Sequence, residues 1–146
     1  MLETDYPNAE DSTGLLLWRV TNAWQSAQRA ALAPFGLTHV QFVLLASLSW
    51  MGSDDPVTQR DLAEHAGTDP MMTSQVLRTL ESKGLVERRA HPTDARARAL
   101  VVTTAGAELA NEANRAVERV DHDYFLVLGD DRSGFTSMLA RLDGAG

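Results

Sequence analysis

The chain has 146 residues, 44% of them hydrophobic, which suits one globular domain or one such domain with appended dimerisation helices. It contains no cysteine, so the sequence excludes disulfides, a thiolate nucleophile, cysteine-based zinc sites and thiol redox sensing. The formal net charge is −7, and Lys83 is the single lysine among 13 basic side chains.

The N-terminal segment is acidic and polar. It lacks the basic segment and the apolar core of a signal peptide, and no apolar run in the chain approaches the length of a membrane span. We therefore expect residues 1–12 to form a mobile arm. We also expect the protein to be cytoplasmic, with no membrane partner.

Two helices are predicted next. Residues 13–33 form the first, whose apolar side chains cover most of its circumference, a pattern typical of a helix that is buried from two sides. Thr38 and Gln41 have the spacing of a capping box and begin the second, a strongly apolar helix that is predicted to be the central core helix. Residues 52–56 are predicted to form a loop, and residues 57–58 a short first strand.

A pair of short helices follows. Thr58 and Asp61 have nearly the spacing and chemistry of a capping box at the start of the first helix. Asp69 can cap the second helix, and Pro70 suits its first position because no intrahelical hydrogen bond is lost there. The pair is predicted to be a helix-turn-helix, with its second helix at residues 69–83.

This second helix has one apolar face and one mainly polar face at helical spacings. The polar face can read bases, because arginine pairs with guanine, glutamine with adenine and serine with either, while an apolar side chain can meet the thymine methyl group. An ordinary amphipathic surface helix has the same pattern, so the helix alone favours neither interpretation. The apolar face consists of Met72, Thr73, Val76, Leu77 and Leu80, and the predicted base-reading face of Met71, Ser74, Gln75 and Arg78.

Two strand-like runs, residues 85–89 and 97–103, flank a turn with proline and aspartate and predict a β-hairpin. Residues 78–98, which we call the basic island, hold six basic and three acidic side chains, a local charge of +3, whereas the rest of the chain carries −10. A phosphate backbone explains such an island, although a solvated hairpin with incidental arginines is the alternative. The side chains predicted to contact phosphate are Thr58, Gln59, Arg88, Arg89 and Arg98.

Helices are also predicted after the hairpin. A long helix extends to residue 128 without an internal proline, and an apolar last helix follows residues 129–131. Together with the helix at residues 13–33, they carry more apolar surface than a monomer of this size can hide. Packing against a second copy is therefore expected, with a compact monomer as the alternative.

Candidate catalytic and metal-binding residues are few in this sequence. Asp121, His122 and Asp123 could suggest a metal site, but consecutive side chains on a helix point in different directions, which favours a solvated polar patch. The chain has no glycine-rich phosphate loop and no recognisable nucleophile motif. We therefore expect neither an enzyme, nor a cofactor, nor a metal site.

The run LVERRAHPTDARARALVVTTAG resembles the wing signature of the MarR family of bacterial transcriptional regulators, with its Asp-x-Arg at the wing tip. The preceding DLAEHAGTDPMMTSQVLRTLESKGL resembles that family's helix-turn-helix, and the layout matches over nearly the whole chain. The resemblance implies a mainly α fold with a small β-hairpin wing (α+β). It implies a winged helix-turn-helix DNA-binding domain at residues 37–103, with dimerisation helices at residues 13–36 and 104–146.

The resemblance also implies roles for single residues. In the family, the wing-tip arginine enters the minor groove and the nearby aspartate helps to hold the wing, roles that fall to Arg96 and Asp94. Family members often respond to small phenolic or other aromatic anions, bound where the dimerisation helices meet the winged helix. Core packing is the alternative role for the residues that would line this site, Trp18, Trp24, His39, Phe42 and Trp50.

The function implied is a sequence-specific DNA-binding transcriptional regulator, most often a repressor. It would bind double-stranded DNA as a homodimer on a pseudo-palindromic operator, and a small aromatic or anionic effector would release it. The alternative is a winged-helix protein-interaction module without specific DNA binding, which the acidic total charge favours and the basic island disfavours.

Overall fold

The computed structural model describes residues 1–52 and 55–145. Over these residues the chain forms six α-helices and one two-stranded antiparallel hairpin, which confirms the predicted mainly α fold with a small β-hairpin. The predicted loop at residues 52–56 contains Ser53 and Asp54, which lie outside the described residues. The elements are α1 (Thr13–Leu32), α2 (His39–Met51), α3 (Gln59–Ala66), α4 (Pro70–Ser82), β1 (Val86–Ala90), β2 (Arg98–Val102), α5 (Thr104–Phe125) and α6 (Arg132–Gly144).

Short polar side chains set where the helices begin. Thr38 and Gln41 form the predicted capping box at α2, with two reciprocal side-chain to backbone hydrogen bonds of 3.2 Å. Thr58 and Asp61 form a second box at α3, with bonds of 3.2 and 3.0 Å. Asp69 accepts a backbone N–H at 2.8 Å at the start of α4. These bonds satisfy donors that the first turn of a helix leaves without partners, so the predicted caps are confirmed.

Helix α2 is the centre of the hydrophobic core. Leu44 and Leu45 are fully buried, and Leu48 nearly so. Trp50 belongs to the same apolar run but is 84% exposed, because it lies two residues beyond Leu48 and therefore about 200° around the helix. The other elements of the core contribute Leu32 from α1, Leu62 from α3, Leu77 and Leu80 from α4, Val86 and Leu100 from the hairpin, and Ala113 and Val117 from α5.

Among the described residues, no single helix is both long and apolar enough to cross a membrane. The segments Thr13–Phe35 and His39–Met51 reach the required length and composition only when they are taken together. They are bent by 76° relative to each other, and the second of them is the core helix α2.

The hairpin is tied to the loop that precedes α3. Its strands pair antiparallel along their whole length, with Arg88 opposite Leu100, so the predicted runs at residues 85–89 and 97–103 are confirmed to within one or two residues. Leu100 also forms an isolated bridge with Val57, whose carbonyl oxygen accepts its N–H at 2.8 Å. This bridge is the short strand contact predicted at residues 57–58.

Helix α5 begins in contact with the base of the hairpin. The hydroxyl of Thr103 accepts the N–H of Gly106 at 3.0 Å and donates to the carbonyl of Gly84 at 2.7 Å. A Cβ on Gly106 would lie 2.1 Å from the carbonyl oxygen of Leu85, closer than any real contact. The absence of a side chain at Gly106 therefore allows α5 to pack directly on the chain that enters β1.

The first and last helices bury few residues. In α1 only Gln28 and Leu32 are buried, and α6 has no buried residue. Helix α5 ends earlier than predicted, because a 3-10 segment, Leu126–Asp131, follows it and contains Gly129 with a φ of 54°. The predicted arm includes a short 3-10 helix, Ala9–Asp11, whose side chains are exposed.

Candidate nucleic-acid interface

Helix α4 presents the predicted base-reading face to solvent. Met71 is 73% exposed, Gln75 and Arg78 are also exposed, and Ser74 is half-buried. A guanidinium N–H of Arg78 donates to the hydroxyl of Ser74 at 3.2 Å, one helical turn away. These four side chains lie on the N-terminal half of α4 or just beyond it, the part of a recognition helix that enters the major groove.

The opposite face of α4 anchors it in the core. Thr73, Leu77 and Leu80 are fully buried, and the Thr73 hydroxyl donates to the carbonyl of Asp69 at 2.7 Å. Met72 was predicted on this apolar face but is 44% exposed. It lies in the first turn, where α4 extends past the core and borders a surface cleft, so the helical spacing alone overestimated its burial.

The wing turn is held by two side chains. Oδ1 of Asp94 accepts the backbone N–H of Arg96 at 2.9 Å, which is a contact of the kind expected for the aspartate of the Asp-x-Arg motif. Nδ1 of His91 accepts the backbone N–H groups of Thr93 at 3.2 Å and Asp94 at 3.0 Å. The side chain of Arg96 is exposed at the turn. Sequence reasoning missed this role of His91, although a neutral imidazole has one nitrogen that can accept such a local bond.

The two neighbouring arginines of β1 point in opposite directions, because side chains alternate along a strand. The Arg89 side chain is 62% exposed and pairs with Glu87 at 3.0 Å. The Arg88 side chain is 30% exposed and pairs with Glu81 of α4, and it also donates to Oε1 of Gln59 at 3.1 Å. Of the two β1 arginines predicted to contact phosphate, only Arg89 therefore lies on the outer face of the hairpin.

The start of α3 lies beside this contact. Thr58 and Gln59 are half-buried, and hydrogen bonds from the backbone and hydroxyl of Thr58 lower the pKa of the Asp61 carboxyl below its ordinary value. Asp61 therefore stays ionised and keeps the first turn of α3 capped.

The charges of the basic island are partly engaged within the chain. Within residues 1–52 and 55–145 the ion pairs are Arg60–Glu64, Arg88–Glu81 and Arg89–Glu87. Lys83 is engaged as well, and it donates from Nζ to the carbonyl of Gly36 at 2.7 Å. The basic side chains of the island that lie outside these pairs and are exposed include Arg78, Arg96 and Arg98.

The predicted effector-binding residues are divided between two clefts. Trp24 and His39 line one, of about 450 Å³, with Arg29 and Met72. Phe42 and Trp50 line the other, of about 480 Å³, with residues of α3 and α5. Val43 borders both clefts. Trp18 lines neither, and it is 69% exposed on α1.

The first cleft lies beside a partly buried polar cluster. Asp121 of α5 accepts the indole N–H of Trp24 at 2.8 Å and the amide N–H of Gln28 at 2.7 Å. The rings of Trp24 and His39 meet edge to face, with their centroids 5.1 Å apart. Burial lowers the pKa of His39 below its ordinary value of 6.5, and the charge of Arg29 lowers it further, while Asp121 opposes both. Neutral His39 is therefore the favoured form near neutral pH.

The titratable side chains of α5 do not converge on one point. Among the described residues, no group of three or more His, Asp or Glu side chains lies close enough together to bind a metal ion. His122 and Asp123 are exposed on α5, while Asp121 is turned inward toward Trp24. The three consecutive residues thus point in different directions, as their helical positions require.

Residues 37–97 match the model of the MarR family. The chain is 46% identical over 115 residues to YdcH, an HTH-type transcriptional regulator of Bacillus subtilis, and the match covers 78% of each chain. It is 36% identical over 108 residues to the HTH-type transcriptional repressor Rv2887 of Mycobacterium tuberculosis, over 74% of this chain and 76% of that protein. Both relatives are named as transcriptional regulators.

Solved structures share the fold. CouR bound to a 23-mer DNA duplex is 26% identical, with a TM-score of 0.85 over 97% of this chain and 99% of that one. CouR from Rhodococcus jostii RHA1 bound to p-coumaroyl-CoA is 28% identical, with a TM-score of 0.84 over 96% and 95%. Rv2887 in complex with salicylic acid is 34% identical, with a TM-score of 0.71 over 92% and 99%. The chain belongs to the MarR family of winged helix-turn-helix, DNA-binding transcriptional regulators.

Proposed function

We propose that the protein is a sequence-specific repressor that acts in the cytoplasm as a homodimer on a pseudo-palindromic operator. The observation that carries this proposal is the combination of an exposed base-reading face on α4 with an exposed arginine at the wing turn, both in or next to the basic island. Each protomer would place α4 in one major groove. The two half-sites would lie about 10 bp apart, or a small multiple of that distance.

The DNA contacts divide by chemistry. Arg96 enters the flanking minor groove, whose narrow A·T form attracts arginine, while Asp94 holds the turn that presents it. Base reading is proposed for Met71, Ser74, Gln75 and Arg78, and phosphate contact for Thr58, Gln59, Arg89 and Arg98. Arg88 was also predicted on a phosphate, but its guanidinium is engaged by Glu81 and Gln59, so it is the least suited of the set.

A second copy of the chain is the partner that we propose for the terminal helices. Trp18 and Leu17 are exposed on α1, and α6 buries none of its side chains within one protomer. Covering these apolar faces would supply the hydrophobic driving force for a dimer. The exposed apolar residues are Leu16, Leu17, Trp18 and Val20 in α1, Leu126 and Val127 after α5, and Met138, Leu139 and Leu142 in α6.

Sedimentation equilibrium tests this interface. We expect a dimer for the unmodified chain and a shift toward monomer for Leu17→Glu and Leu142→Glu, because a buried carboxylate is costly. Ala95→Glu adds the same charge at the exposed wing and should leave the dimer unchanged. A monomeric unmodified chain would remove the dimer from the proposal.

A small aromatic or anionic ligand is proposed as the effector. The cleft of Trp24 and His39 offers aromatic surfaces and the guanidinium of Arg29, a combination that suits an aromatic acid. Salicylic acid, which is present in the Rv2887 complex, is one compound to test. A ligand there would act by favouring one spacing of the two DNA-binding heads over another.

Titration tests the effector. Tryptophan fluorescence and DNA affinity would be followed with a broad panel of aromatic acids, using the unmodified protein and Arg29→Gln. We expect at least one acid to quench fluorescence and weaken DNA binding, with a smaller effect on the variant. A panel in which no compound changes either signal would rule the effector out.

Selection of bound fragments from genomic DNA tests the DNA proposal itself. We expect enrichment of one pseudo-palindromic motif, with an affinity that falls steeply as salt rises, because phosphate contacts release counterions. A chain that enriches no motif and responds weakly to salt would instead be a protein-interaction module, the function that the net charge of −7 favours.

A further inference from the structure

The side chain of Arg88 crosses from the wing to both helices of the helix-turn-helix. Residues 86–90 alternate in burial, with Val86 buried, Arg88 half-buried and the intervening Glu87 exposed. Arg88 therefore occupies the inner face of β1, which faces α3 and α4. An arginine on the inner face of a small hairpin needs partners, because burial of an unpaired charge is strongly unfavourable.

Those partners come from two different elements. Nε of Arg88 donates to Oε1 of Glu81 in the last turns of α4, and Nη2 donates to Oε1 of Gln59 at the first residue of α3. The side chains of Arg88 and Glu81 are each 30% exposed, so their attraction is screened less than that of a fully exposed pair. One guanidinium thus joins β1, α3 and α4.

Backbone hydrogen bonds also tie these elements together, since the N–H of Leu85, just before β1, donates to the carbonyl of Leu80 in α4 at 3.0 Å. Arg88 lies opposite Leu100, and Leu100 is bridged on its other side to Val57, two residues before Gln59. A two-stranded hairpin is marginally stable on its own, and here the side chains of Val86 and Leu100 also pack in the core. The side chain of Arg88 adds a polar link from β1 to α4 and to the start of α3.

We propose that Arg88 is a positioning residue for DNA recognition, which sets the angle of the wing relative to α3 and α4 and orients Gln59 toward a phosphate. Gln59 uses its carbonyl oxygen to accept from Arg88, so its amino group, which can only donate, is the end left for an anion. Arg88 itself is neutralised by Glu81 and contributes little direct attraction for DNA. This inference rests on the DNA binding proposed above.

Neutralising Glu81 tests the proposal, because the direction of the change in DNA affinity distinguishes the two possible roles of Arg88. Removal of a negative charge within about 10 Å of DNA should strengthen binding if Arg88 is a phosphate contact that Glu81 merely weakens. If Arg88 is a positioning residue, Glu81→Gln frees it and should instead weaken binding about three- to tenfold. Tighter binding by this variant would overturn the proposal.

A double-mutant cycle between Arg88 and Gln59 tests whether Arg88 affects DNA binding through Gln59. Because Arg88 acts through Gln59, Gln59→Ala should cost less affinity in an Arg88→Gln background than in the unmodified chain. If the fold loss in affinity of the double variant equals the product of the two single losses, the two residues act separately. That result would contradict the proposal. Circular dichroism and thermal unfolding would confirm that each variant is folded at the temperature of the binding measurement, so that a loss of stability is not read as a loss of positioning.

Arg89→Gln is the matched control, since it removes an arginine from the outer face of the same strand. The plot of log affinity against log salt should lose about 0.9 of its slope for this variant, the value expected for one phosphate contact. The double variant Arg88→Gln/Glu81→Gln leaves the net charge unchanged and should keep the full slope while its affinity falls. If the salt dependence loses the same amount of slope in the double variant as in Arg89→Gln, Arg88 contacts a phosphate. If the unmodified chain fails to bind DNA at all, the proposed function fails before this inference is reached.

Discussion

Trp24 of α1 and Asp121 of α5 are joined by a 2.8 Å hydrogen bond between the indole N–H and a carboxylate oxygen, across 97 residues of sequence. Gln28 donates to the same oxygen at 2.7 Å, and Trp24 also contacts the ring of His39 at the start of α2. This cluster connects α1 and α5 to α2, the central helix of the core. Changes there are therefore expected to affect stability.

Asp121→Ala should destabilise the protein by about 1–3 kcal/mol, because the half-buried indole of Trp24 and the buried amide of Gln28 would lose their acceptor. Urea unfolding measures this loss. Asp123→Ala, on an exposed face of the same helix, is the control and should change stability by less than about 0.5 kcal/mol. Equal effects of the two substitutions would show that the hydrogen bonds contribute nothing.

His39 should make stability depend on pH. Burial lowers its pKa in the folded protein below 6.5, so the unfolded chain binds more protons between these two values. The free energy of unfolding should therefore fall as the pH drops from 6.5 toward the folded pKa, and stay level above 6.5 as far as this group is concerned. His39→Gln should remove this decrease. The difference in the free energy of unfolding between the unmodified protein and the variant should therefore become smaller at acid pH. Parallel pH profiles would contradict the assignment.

Gly106→Ala should destabilise the contact between α5 and the hairpin. The new Cβ would lie 2.1 Å from the backbone carbonyl oxygen of Leu85, so either α5 or the hairpin must move. Overpacking of this kind costs about 1–3 kcal/mol, and a shifted hairpin should also weaken DNA binding. Gly134→Ala in α6, where a Cβ meets nothing within 4 Å, is the control for thermal unfolding and for binding. Unchanged stability of the Gly106 variant would argue against the close packing.

Arg96→Ala should weaken operator binding about tenfold or more while the proposed dimer stays intact, because the minor-groove arginine is lost without any change at the terminal helices. Fluorescence anisotropy with labelled operator and sedimentation would measure the two properties. Arg119→Ala, an exposed arginine of α5 outside the basic island, should bind normally. Near-normal affinity of the Arg96 variant would count against the wing contact.

Gln75→Ala and Arg78→Ala should each cost about 1–3 kcal/mol of operator binding and relax the base preference at one position. Binding to a set of single-base operator variants separates this outcome from a phosphate contact. A loss of the same size for every base would mean that the side chain positions the helix without reading sequence. Arg78 offers the clearer case, since it is exposed and its hydrogen bond to Ser74 can be exchanged for one to guanine.

The local features of this chain were predictable because their causes are local. The capping boxes at Thr38 and Thr58, the Asp69 cap and the turn between the two strands depend on residues within three or four positions of one another. The alternation along β1 could also have been read from the sequence, since it places Arg88 and Arg89 on opposite faces. Grouping the two arginines by charge alone concealed that difference.

The sequence by itself determined the order of the elements, the exposed polar face of α4 and the basic island, since helical period, caps and formal charge need no knowledge of distant contacts. The tertiary structure alone decided which charged side chains remain exposed and able to contact DNA. Only the approach of β1 to α3 and α4 reveals that Arg88 is engaged by Glu81 and Gln59, while Arg96 stays exposed. Likewise, the hydrogen bond from Trp24 to Asp121 joins residues 97 positions apart, so it follows from the packing of α1 against α5 and not from local sequence.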